Sequence, residues 1–62
     1  MSFEVIQQNA KTIAELARLY DNLKAQNNPN NYEKIKQIRL QIMKLIDNIQ
    51  KYIDEERQPF QP

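Results

Sequence analysis

The groups in this chain that could do chemistry are eight carboxylates, the lysines and arginines, three tyrosines and two lone hydroxyls, Ser2 and Thr12. There is no His and no Cys, so the common zinc, haem and iron–sulfur ligand sets cannot be assembled, and neither can a disulfide. Zero Gly removes every glycine-rich phosphate loop and the dinucleotide fingerprint. The densest carboxylate run is Asp54-Glu55-Glu56. Successive helical residues point about 100° apart, so these three do not converge on one metal. Asp47 and Asp54 share a helix face but stand about 10 Å apart along its axis, with Lys51 between them. Tyr20 and Tyr52 fall at apolar positions of a helical repeat and read as core. Catalysis needs a nucleophile, an acid–base pair or a bound cofactor in a pocket. The expectation is a non-enzymatic protein with no catalytic residues, no metal, no cofactor and no small-molecule substrate.

The elements that carry these residues are two amphipathic helices. Gln26-Asn27-Asn28-Pro29-Asn30-Asn31 is the one break between Met1 and Pro59, and it divides the chain into nearly equal halves. In the first half the apolar positions Ile6, Ile13, Leu16, Tyr20 and Leu23 follow a heptad, with Asn9 at the missing seam position. Asn9 either fixes register there or lies wet near a frayed end. Phe3, Ala10, Ala14 and Ala17 widen one edge of this seam, while Val5 and Leu19 widen the other. In the second half Ile35, Ile38, Ile42, Leu45, Ile49 and Tyr52 alternate spacings of three and four throughout. Ser2 is the expected cap of the first helix, and Asn30 or Asn31 that of the second, with Glu33 in its first turn. Asn27 or Asn28 must supply any left-handed residue that ends the first helix. The pattern predicts helices over 3–26 and 31–57, a turn over 27–30, a single all-α hairpin domain over 1–58, and an extended or frayed tail over 59–62.

Sixty-two residues give one small core, and scaffolds of this size usually need a staple. With disulfides and common metal sites excluded, association is the staple left. The second helix has more apolar surface than one neighbour covers. Ile46 and Ile53 flank its seam, Tyr32 and Met43 lie further round, and Leu40 is almost on its back. These five are the expected partner-binding residues, and an antiparallel four-helix bundle made by dimerisation or by docking on a larger protein is the expected completion.

Nine basic and eight acidic residues leave a net charge of +1, too balanced to imply nucleic-acid binding. Their distribution is uneven. The second helix begins with Lys34, Lys36 and Arg39 and ends with Asp54, Glu55 and Glu56, the reverse of what the helix dipole favours. Hairpins set head to tail, or a larger partner with matching patches, would make use of that polarity. Lys24, Lys34, Lys36 and Arg39 also form a candidate charged patch at the hairpin tip, with Tyr32 beside it as the aromatic expected to be exposed. Three functions are therefore in view. The preferred one is a helical protein-interaction module, such as an accessory subunit, small regulator or co-chaperone. The others are a small dimeric nucleic-acid-binding regulator and a self-assembling structural subunit. The opening residues have no basic stretch followed by a long apolar run, and no segment reaches the roughly 18 apolar residues of a spanning helix. A soluble, cytoplasmic protein without membrane contact is the expectation.

Overall fold

The computed structural model of the chain describes residues 3–56. Two long helices pack as an antiparallel hairpin. The first, α1, spans Glu4–Ala25, and the second, α2, spans Tyr32–Glu56. A short 3-10 turn over Pro29–Asn31 runs directly into α2. No strand occurs among the described residues, so the all-α hairpin is established. Both helices fall within a residue or so of the expected bounds. Ser2, Arg57 and the tail over 59–62 lie outside the described residues.

The heptad seam accounts for burial without exception. Ile6, Asn9, Ile13, Leu16, Tyr20 and Leu23 of α1 and Ile35, Ile38, Ile42, Leu45, Ile49 and Tyr52 of α2 are half-buried or buried. Every other described residue of the two helices is exposed. Asn9 keeps its seam position and is half-buried there, beside Glu4, Val5 and Gln8. Ile38 is the one buried apolar side chain among the described residues, at 7% exposure. Two helices alone cannot enclose a side chain on all sides, which is why the remaining seam residues stay half-covered. The Cα extents of 55 × 17 × 10 Å describe a body two helices wide and one helix deep.

Helix ends follow from local chemistry. Phe3 occupies the N-cap position of α1 without a side-chain capping bond, although its carbonyl accepts from the Gln7 N–H at 3.0 Å. At the other end Asn27 adopts φ 52°, the left-handed conformation that a chain without Gly must assign to an asparagine. Its N–H donates to the Lys24 carbonyl at 3.1 Å. Asn28 is extended, as expected of a residue before proline, with φ −107° and ψ 118°.

The cap of the second helical segment differs from expectation. Asn28, not Asn30 or Asn31, holds the cap position, and its Oδ1 accepts from the Asn30 N–H at 3.0 Å. The reason is Pro29, whose fixed φ and missing N–H suit the first position of a helical turn. Asn31 is released for another task. Its side chain is 7% exposed, and its Nδ2 donates to Gln26 Oε1 at 2.9 Å and to the Leu23 carbonyl at 3.5 Å. It thus ties the start of α2 to the last turn of α1.

Candidate functional site

Beside the seam of α2 lies a second row one residue further on: Tyr32, Lys36, Arg39, Met43, Ile46, Gln50 and Ile53. It repeats the same alternation of four and three, so it too is a straight stripe along the helix. On α1 the matching row is Phe3, Gln7, Ala10, Ala14, Ala17, Asp21 and Lys24. The two rows lie on the same face of the hairpin. Ala17, Tyr20 and Asp21 line one groove with Arg39, Ile42 and Met43. The groove on the opposite face is lined by Leu16, Leu19, Leu23 and Ile38 together with the polar side chains of Glu33, Lys34, Gln37 and Gln41.

Four of the five expected partner-binding residues share this first face. Tyr32 is 69% exposed, Met43 58%, Ile46 51% and Ile53 37%. Phe3, also exposed, extends the same surface on α1. Leu40 does not join them. It is exposed, but it lies about 200° around the helix from Ile38, on the side away from α1. The spacing already sets Leu40 almost on the back of the helix, away from Ile46 and Ile53. The second heptad row is the finer signal, and it was available in the spacing. The three alanines of α1 were noted only as an edge, and the structure places Ala17 directly across the groove from Met43.

Three of the four residues of the candidate charged patch, Lys24, Lys36 and Arg39, belong to the two rows of the alanine-bearing face, and Lys34 lies on the other. Arg39 lines the groove on the alanine-bearing face and Lys34 the groove on the other. Lys24 holds its Nζ 5.5 Å from the Tyr20 ring centroid, within cation–π range. At the level of whole ends the polarity is clear. Residues 18–40, at the tip, carry five cations and two carboxylates, a net of 5 − 2 = +3. The rest of the chain carries four cations and six carboxylates, a net of 4 − 6 = −2.

Among the described residues no group of three or more His, Cys, Asp or Glu could hold a metal ion, and no helix is long and apolar enough to cross a membrane. Protein-family models, curated proteins and solved structures were each compared with the chain, and none matches it.

Proposed function

We propose that this chain is a non-enzymatic helical interaction module, such as an accessory subunit, small regulator or co-chaperone, acting in the cytoplasm. Its working surface is the face that carries Tyr32, Met43, Ile46 and Ile53, and a further pair of helices laid on that face completes a four-helix bundle. One observation carries this reading. A second heptad row stands exposed beside the one that holds the hairpin together, and its apolar members Tyr32, Met43, Ile46 and Ile53 form a surface suited to receive another helix.

The test is capture of partners from the source cell by the immobilised chain, with and without nuclease, beside the Ile46→Lys/Ile53→Lys double variant. Nuclease-resistant capture of protein that the double variant loses supports the reading. Capture abolished by nuclease, or unchanged in the double variant, overturns it. Added salt separates the two cases a second way, because a phosphate binder loses affinity steeply and apolar docking does not.

A further inference from the structure

We infer that the occupant of the apolar face is a second copy of this chain, stacked face to face and head to tail, with a two-fold axis passing by Ala14 and between Met43 and Ile46. This rests on the reading of that face as an interaction surface, and three observations carry it further.

The first is area. The accessible surface is 5391 Å², whereas a compact monomer of 7.5 kDa exposes about 4,250 Å². The excess of about 1,100 Å² is of the size that each partner buries in a standard interface, about 800 Å².

The second is a shared centre. An isologous interface requires each row to match its own reverse. On α2, the row reversed about the midpoint of Met43 and Ile46 pairs Met43 with Ile46 and Arg39 with Gln50. On α1, reversal about the point between Ile13 and Ala14 sets the small residues Ala10 and Ala17 against each other. Both centres lie in the middle of the hairpin, beside the stretch where Ala17 and Asp21 share a groove with Arg39 and Met43. A single axis therefore serves both helices, with alanines allowing the two α1 helices a close approach and Met43 and Ile46 filling the space between the two α2 helices.

The third is charge. Head-to-tail stacking sets the +3 tip of one hairpin beside the −2 remainder of the other, and does so twice. Lys36 of one copy then comes level with Ile53 and Asp54 of the second copy. This supplies a reason for cations at the start of α2 and carboxylates at its end, against the preference of the helix dipole. A side-by-side dimer, with both tips at one end, would set like charges together and separate the two α1 helices diagonally.

The chain has no cysteine, so a single Cys reports geometry without interference. Ala14→Cys is expected to form an inter-chain disulfide under mild oxidation, because the axis brings the two copies of position 14 together. Lys36→Glu and Asp54→Lys are each expected to weaken dimerisation several-fold in sedimentation equilibrium, and the Lys36→Glu/Asp54→Lys double variant to recover it. Both single changes move charge in the direction that the helix dipole favours, so a fall in association is not a failure to form the helix. Monomeric mass at micromolar concentration overturns the proposal, as does a dimer that forms no Ala14→Cys disulfide or ignores the charge exchange. A monomer that still captures a nuclease-resistant protein through Ile46 and Ile53 would overturn the self-pairing alone and leave the interaction role standing.

Discussion

Asn31 and Tyr32 are neighbours in the chain, yet the asparagine is 7% exposed and the tyrosine 69%. Residue type predicts the opposite order. The inversion arises because the two residues head different rows of α2. Asn31 stands at the top of the row that continues through Ile35, Ile38 and Ile42, which packs on α1. Tyr32 heads the row through Arg39, Met43 and Ile46, which no part of the hairpin covers. In a fold only one helix deep, a shift of one residue decides whether a side chain is structural or available, and polarity is secondary to that.

The comparison breaks most sharply at two isoleucines. Ile38→Ala removes the one buried apolar side chain among the described residues, and a cost of about 2–4 kcal/mol is expected. That approaches the whole stability of a core this small, so helical circular dichroism should fall and the melt should broaden. Ile46→Ala, the same chemistry on a half-exposed side chain, should cost under about 0.5 kcal/mol in the isolated hairpin, with any larger loss growing with chain concentration. Equal, concentration-independent losses at both positions would erase the distinction between the rows.

At the head of the rows the effect is smaller. Asn31→Ala leaves the Leu23 carbonyl and Gln26 Oε1 without the Asn31 donor and should destabilise by about 1–3 kcal/mol in a denaturant titration. Tyr32→Ala should be nearly silent in the same assay at low concentration. A tyrosine change more damaging than the asparagine change would mean that Tyr32 packs within its own hairpin. Smaller still is Asn28→Ala, which removes the side-chain acceptor of the Asn30 N–H and should cost about 1 kcal/mol. Amide exchange that quickens at Asn30 while leaving the middle of α2 unaffected would place that loss at the tip. Uniform quickening along α2 would contradict a local cap.

Much of this architecture is legible in the spacing of apolar residues. The seam members named by the three-and-four alternation are the covered residues of each helix, including Asn9, whose polarity alone would have excluded it. Side-chain hydrogen bonding at the tip was harder to read. Four asparagines near one proline can all cap, turn or bridge, and composition does not rank them. Proline does: Asn28-Pro29 is the order of a cap followed by a first helical residue, so the assignment to Asn30 or Asn31 passed over a usable signal. The burial of Asn31 had no local signature, because it depends on Gln26 and Leu23 arriving from the other helix. Leu40 shows the reverse limit. Apolar character marked it, but only its angular position separates it from the row it was grouped with.

The single tight tip also imposes an order on assembly. Leu23 and Ile35 meet across a chain separation of 12 residues, whereas Ile6 and Tyr52, at the far end of the same seam, are 46 residues apart. Closing the longer loop directly costs about 1.2 kcal/mol more in chain entropy than closing the shorter one. The hairpin is therefore expected to zip outward from the asparagine-rich tip, each seam layer shortening the effective loop for the next. Asn31 makes its bridge where closure is least costly, and its bonds are among the first long-lived links between the helices. The acidic open end closes last and opens first.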